Sequence, residues 1–387
     1  MFNVKDRTIL FTIGGSRSYG IATPDSDVDV KGICIPPIKK YKLGIQNKFE
    51  QADSREHLVP FMDLFTPEEV KAIQKDSEEK QSPYIAPEGA IYDISKFFEL
   101  ALNANPNILE ILFTDESDIR LITPAGEKLR EHRDLFLSKK VVYSYDGYAF
   151  SQFKKIKSHR SWLLNPPTAV PTREVFGLPP ERSLLSADEQ NAFLWVVAEI
   201  LRDKIGGFRL SKTTKEELLD QADIFASIQG SVPDSVWPML QQITGAPTAF
   251  IQTMQSERAY RSAMNHWKSY LNWKANRNPK RAALEELVGF DSKHGAHLYR
   301  LMLQGMEIIR HKTLTVRLLP EDRKLVMSVR RGDIKYEELE VWFAEQQRLF
   351  KEEVKTSTLP EKPDRNKADE LLTNILMESL NKDSEED

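Results

Sequence analysis

The chain of 387 residues carries one cysteine, Cys34, so an internal disulfide and a cysteine-based zinc site are both excluded. No stretch approaches the roughly 20 consecutive apolar residues of a membrane span. The opening Met1-Phe2-Asn3-Val4-Lys5-Asp6-Arg7 lacks the apolar run of a secretory signal. No membrane partner is expected, and the cytosol (cytoplasmic) is the default compartment. Charge of one sign is scarce too: 54 basic against 58 acidic side chains leave a net charge of −4. That total argues neither for nor against a nucleic-acid partner. Apolar material is ample, with 40% hydrophobic and 9% aromatic residues, which excludes a wholly disordered chain. At about 150 residues per domain, the length suits two or three domains.

The N-terminal part alternates short apolar runs with helical patterns. Residues 8–13, Thr-Ile-Leu-Phe-Thr-Ile, read as a buried strand stopped by Gly14-Gly15. Residues 27–35 start with period-two alternation and stop at Pro36-Pro37, a second strand. The polar stretch 66–86 reads as a solvated helix or a mobile loop. Ala90-Ile91-Tyr92 predicts a third strand, followed by a helix in which Ile94, Phe97, Phe98 and Ala101 share one face. Pro106 breaks that helix, and Ile108–Phe113 resumes the apolar pattern.

Beyond residue 140 the patterns are mainly helical: 148–162, 186–206, 255–275, 281–289, 293–311, 335–355 and 367–380. A proline-rich loop spans 163–180, and a short strand is expected near Leu314–Leu318. The expected class is α+β: a small mixed sheet with helices over 1–138, then a helical domain over 139–358. An inserted segment near 181–250 and a C-terminal helix or acidic tail over 359–387 complete the division. The acidic run Asp383–Asp387 is expected to fray into solvent.

Chemistry concentrates in Gly14-Gly15-Ser16-Arg17-Ser18-Tyr19-Gly20 and the following Asp25-Ser26-Asp27-Val28-Asp29. A glycine-rich turn after a strand brings backbone N–H groups close to phosphate oxygens. It is not a Walker loop, because no Lys-Ser or Lys-Thr pair follows, and its spacing is not the dinucleotide fingerprint. Asp27 and Asp29, two apart in a strand, leave the same face. Paired carboxylates repel unless a cation lies between them, and hard oxygen ligands suit Mg²⁺ shared with substrate phosphates. A third carboxylate from another strand would complete a two-metal site, one ion holding a triphosphate and the other activating a hydroxyl. The plainer reading of Asp25, Asp27 and Asp29 is a solvated acidic turn.

This order of strand, Gly-Ser turn, spacer and Asp-x-Asp resembles the DNA polymerase β-type nucleotidyltransferase superfamily. The resemblance narrows to the nucleotidyltransferases of bacteria and their phages. It extends to Lys96-Phe97, Asn105–Glu110, His159–Pro167, Trp273–Pro279 and Lys293–Leu298, so matches spread from residue 14 to about residue 335. It implies that Gly15 and Ser16 form the phosphate turn and that Asp27 and Asp29 bind Mg²⁺ or Mn²⁺. An acidic residue about five positions before the helix start is expected as the third ligand. That favours Glu88 over Asp93, which has a simpler role as helix N-cap. Arg17 either contacts the γ-phosphate or is a surface arginine, and Tyr19 stacks or packs.

Other features have two readings each. His294 and His297 stand three apart on a helix, a spacing that can bind metal. With no cysteine partner, packing or a phosphate contact from Lys293 and His294 is preferred. The basic and aromatic segments 154–160 and 258–281 suit stacking on bases and neutralising phosphates, or else aromatic core and solvated charge.

The activity expected is metal-dependent transfer of a nucleoside monophosphate from an NTP, ATP included, to an acceptor hydroxyl, with release of pyrophosphate. An RNA 3′ end is the favoured acceptor, in the host cytoplasm if the chain is phage-encoded. Alternatives are a protein, small-molecule or second-nucleotide acceptor, a non-catalytic nucleotide- or RNA-binding protein that keeps the fold, and an assembly factor.

Overall fold

The computed structural model describes residues 2–43, 48–207, 209, 211, 215, 219, 237–277 and 279–385. Thr8–Gly14 (β1) is buried along its whole length, as an apolar strand inside a sheet must be. It is followed by Asp29–Cys34 (β2), Gln51–Ala52 (β3), Glu88–Asp93 (β4) and Ile119–Ile122 (β5). Their order is β3-β4-β2-β1-β5. Strands β2 and β4 run parallel, and the other neighbours are antiparallel. The sequence predicts three of these strands. The short β3 and β5 escape it, because two and four residues are too few to show a period. The second strand begins at Asp29, so Asp27 stands in the loop just before it.

Alternation sends the two faces of the sheet into different cores. Leu10 and Ile33 join a large cluster with Phe97, Leu109, Tyr145, Leu298 and Phe343. Those residues lie on helices Ile94–Leu102, Pro106–Phe113, Val141–Leu164, Ser292–His311 and Tyr336–Thr356. On the opposite face Phe11, Val30, Cys34 and Ile91 meet Phe61, Phe65 and Ile73, with Phe11 stacked on Phe61 at 4.3 Å. Helix Pro67–Glu79 belongs to that side. It starts with a capping box between Thr66 and Glu69, which resolves the ambiguous stretch 66–86 as helix over this range.

Two compact units result: Met1–Arg160 with Lys280–Asp387, and Ser161–Pro279. The chain passes from the first to the second within helix Val141–Leu164, where a bound at residue 138 is expected from the sequence. The C-terminal helices therefore fold in one unit with the sheet, because residues such as Leu298 and Phe343 share its core. The second unit has its own small core of Leu194, Val197, Trp237, Leu240, Ile251 and Met254. These come from helices Ala187–Gly207, Trp237–Thr244 and Thr248–Asn276. The expected insert near 181–250 falls partly outside the described residues, as do the last two residues of the acidic run, Glu386 and Asp387. Its preceding part continues helix Arg365–Glu385.

One expectation is corrected: Leu314–Leu318 is a loop. Leu314, Val316 and Leu318 are buried in alternation, which mimics a strand. The backbone bonds of this segment go elsewhere than to a strand, however, with Thr315 N donating to Glu307 Oε2 and Leu318 N donating to Tyr19 O. Helix Pro320–Arg331 follows, capped by Gly332 at φ 86°.

Candidate active site

Three strand ends meet at one edge of the sheet. Gly14 closes β1 and pairs with Asp29, which opens β2. Asp29 is in turn in register with Glu88, the first residue of the parallel strand β4. Residues in register on parallel strands leave the same face, so Asp29 and Glu88 are side by side. Between β1 and the Asp27 loop lies the helical turn Gly15–Ser18. Gly15 has φ 62°, and a Cβ there would collide with Asp29 Oδ2. Only glycine therefore allows the turn to approach this carboxylate.

Ser16 Oγ is buried and has no hydrogen-bond partner among the described residues. A buried hydroxyl without a partner costs about 1–3 kcal/mol, and a ligand oxygen at the turn would remove that cost. Arg17 acts on the loop: its Nε donates to Asp27 O and its Nη2 to Ser26 O, both at 3.0 Å. Arg330 holds the same loop from the other side, donating to Ile21 O at 2.8 Å. Asp25 pairs with Lys75 at 3.0 Å and is exposed.

Burial, and then the charges of Asp27 and Glu88, push the Asp29 carboxyl up to about 6, although Lys293 and Lys31 oppose this. Such a carboxylate group is short of positive charge, and a divalent cation fits that need. The donors are all hard oxygens, the kind Mg²⁺ or Mn²⁺ selects. As they stand, Asp27, Asp29 and Glu88 do not bring one oxygen each within 4.8 Å of the others, so a cation would have to draw them together. Glu88 already bonds Arg55 Nη2 and Lys80 Nζ, each at 2.9 Å, and these partners lower its pKa despite partial burial. To ligate an ion it must exchange at least one of them.

Asp93 is not brought to this edge. It ends β4 opposite Cys34, about 16 Å along the strand from Glu88 at roughly 3.3 Å per residue. There its Oδ1 caps helix Ile94–Leu102 through Ser95 N and Lys96 N and pairs with Lys42 Nζ at 2.5 Å. Its capping role accounts for its place in the sequence.

Beneath the site lies a charged network that the sequence reading missed. Glu110 is 2% exposed. It accepts from Tyr19 Oη at 2.8 Å, from Lys31 Nζ at 2.5 Å and from Arg300 Nη1. Against the burial that would raise it, Arg300 and Lys31 hold Glu110 down at about 2. The Arg300 guanidinium also covers the Tyr19 ring at 4.0 Å and donates to Gln304 Oε1 and His297 Nδ1. Lys31 leaves the same face as Asp29, so this network supports the strand that carries the carboxylate. Its signal in the sequence is a lone acid inside Ile108-Leu109-Glu110-Ile111-Leu112, a place where a charge survives only when paired.

The basic and aromatic segments are partly spent on internal contacts. Lys157 bonds Glu340 at 3.4 Å, while Arg160 bonds Glu337 at 2.9 Å and Gly289 O at 3.1 Å. Trp162 and Tyr270 are buried, and Trp162 Nε1 donates to His266 at 2.7 Å. Lys274 and Arg277 cover the rings of Tyr270 and Trp273. The side chains of Lys280 and Arg281 lie outside the described residues.

No solved structure matches the chain. It is 28% identical over 151 residues to an uncharacterized 38.9 kDa protein from the nrdC-mobD intergenic region of Enterobacteria phage T4. That alignment covers 38% of this chain and 38% of the relative, so it spans well under two thirds of either. Residues 3–164 match the family described as RlaP, RNA repair pathway DNA polymerase beta family. That span holds the sheet, the Gly15–Ser16 turn, the three edge carboxylates and Glu110. This part of the chain is thus similar to a DNA polymerase beta-type family, a likeness that points to nucleotidyltransferase-type activity.

Proposed function

We propose that the chain transfers a nucleoside monophosphate from an NTP to an acceptor hydroxyl with the help of Mg²⁺ or Mn²⁺. The observation that carries this reading is the contact of Gly15 with the Asp29 carboxylate, in register with Glu88. It puts a phosphate-type turn and an acidic cation site within one side chain of each other. Asp27, Asp29 and Glu88 hold the metal, while Ser16 Oγ and the turn's backbone amides receive phosphate oxygens. Arg17 is a positioning residue, because it fixes the loop carrying Asp27. The bound ions supply charge neutralisation on the triphosphate and acidify the attacking hydroxyl. The acceptor oxygen bonds to the α-phosphorus, the bond to the bridging oxygen breaks, and pyrophosphate leaves. The proton of the hydroxyl passes to a carboxylate or to solvent.

An RNA 3′ end is the acceptor this reading favours. The description of the matching family as one of an RNA repair pathway supports it. So do the exposed cations Lys154, Lys155 and Lys268. The test offers each α-labelled NTP with Mg²⁺ or Mn²⁺ to RNA, to protein and to no acceptor, with Asp27→Ala/Asp29→Ala as control. Label entering RNA in the parent chain alone supports the reading. The ion pairs of Glu88 with Arg55 and Lys80 favour one second reading, nucleotide or RNA binding without transfer. Saturable NTP binding with no label moved to any acceptor would select it.

A further inference from the structure

A second group of metal-type donors lies apart from the three carboxylates. His159, near the end of helix Val141–Leu164, meets Asp291 and His294 at the start of helix Ser292–His311. One ligand atom from each lies within 4.8 Å of the others. The spacing of His294 and His297 in the sequence suggests a different pair. On the structure His297 turns to Arg300 instead, and the partners of His294 come from the N-cap and from another helix.

We infer that His159, Asp291 and His294 bind one transition-metal ion of the Zn²⁺ class. Two imidazoles and one carboxylate are the borderline donors such ions select, and three protein ligands leave one coordination position for solvent or a ligand oxygen. Orientation agrees with this. His294 Nδ1 donates to Gln152 Oε1 at 2.8 Å, which leaves the lone pair on Nε2, the nitrogen 3.9 Å from Asp291 Oδ2. Asp291 Oδ1 accepts from Lys293 N at 2.8 Å, so the cap itself directs the other oxygen toward the histidine. A ligating histidine commonly has its second nitrogen fixed in this way. Zn²⁺ bonds of about 2.0–2.1 Å place tetrahedral donors about 3.3 Å apart, so the His294–Asp291 pair at 3.9 Å must close by about 0.6 Å and the other pairs, all within 4.8 Å, by at most about 1.5 Å.

The ion would join two helices next to Lys293, whose charge lowers the pKa of the Asp29 carboxyl. The chain would then carry two kinds of metal site, a hard oxygen site for Mg²⁺ or Mn²⁺ and a nitrogen-containing site for Zn²⁺. The second does not depend on nucleotidyl transfer being the activity.

The test uses the full chain with Asp27→Ala/Asp29→Ala, stripped of metal and titrated with Zn²⁺ and, separately, Co²⁺. One equivalent of Zn²⁺ and the intense visible absorption of four-coordinate Co²⁺ are expected. His159→Gln/His294→Gln should weaken binding at least a hundredfold. Gln152→Leu keeps all three ligands and should weaken it about tenfold, which keeps the test readable if the double variant folds poorly. Failure of the Asp27→Ala/Asp29→Ala chain to take up stoichiometric Zn²⁺, or an affinity unaltered by these further variants, overturns the site.

Discussion

Replacing Glu110 by Gln keeps the side-chain volume and removes one charge from the network below the site. Arg300, 1% exposed, and Lys31 would then lose their common counter-charge. Removing one partner of a buried pair costs about 3–5 kcal/mol. A second route gives a similar size. With Glu110 held at about 2 against about 4.3 in an unfolded chain, linkage amounts to about 3 kcal/mol. For a unit of this size that lowers the melting temperature by about 6–20 °C. The folded-state pKa lies below the unfolded one, so this stability is complete above about pH 4.3. It is lost as pH falls toward 2. The parent chain should therefore lose more stability than Glu110→Gln between pH 5 and pH 2, and the two curves should converge. Arg300→Met added to Glu110→Gln should cost less than the two single changes summed, by 2 kcal/mol or more. Thermal scans and urea titrations of the four proteins measure all of this. A Glu110→Gln melting point within about 2 °C of the parent, or pH curves that stay parallel, would refute the reasoning.

Three further outcomes can be checked directly. Gly15→Ala costs about 1–2 kcal/mol for its positive φ and displaces Asp29. Mn²⁺ affinity measured by spin relaxation should fall at least tenfold, and an unaltered value would remove Asp29 from the metal site. Glu88→Gln should abolish label transfer, while the stability loss stays at about 1 kcal/mol, because the Lys80 pair is half-exposed and the part-buried Arg55 keeps Asp76 as a partner. Asp93→Asn should do the reverse, lowering the melting point through the Lys42 pair and the cap while keeping turnover. Full turnover in Glu88→Gln would sink its ligand role. Burial and Arg300 hold His297 down at about 3, so below pH 6.5 the unfolded chain takes up a proton that the folded one refuses. The parent should lose about 2 kcal/mol by pH 5 from this group, and equal acid sensitivity in His297→Asn would contradict it.

What could be read from the sequence was local. Gly15, Ser16, Asp27 and Asp29 fall within one short stretch whose order alone suggests a phosphate turn and a cation site. The helix after Asp93 announces itself by period and cap. Helix Pro320–Arg331 carried comparable signals, with proline at its start, Glu321 and Asp322 in the first turn and Gly332 after its end, and was still missed. Leu314, Val316 and Leu318 misled because alternating burial also arises in a loop pressed onto a core. Pairings across the chain were out of reach. Nothing in the residues near Glu110 names Arg300 as its partner, and periodicity cannot say which helices share a core with the sheet. Register puts Glu88, and not Asp93, beside Asp29, and only strand pairing tells which end of β4 stands there.

The sheet-bearing unit is assembled from both ends of the chain, with Ser161–Pro279 between them. This has a consequence during synthesis. Arg300 lies 190 residues beyond Glu110, so at about 5–20 residues per second the acid emerges roughly 10–40 s before its cation. Through that interval the face of the sheet carrying Leu10 and Ile33 lacks Leu298 and Phe343, whereas the intervening unit, which ends at Pro279, acquires the last of its own residues before Arg300 appears. The nascent sheet is therefore the segment that a ribosome-associated chaperone would have to shield, and the late helix Ser292–His311 would release it.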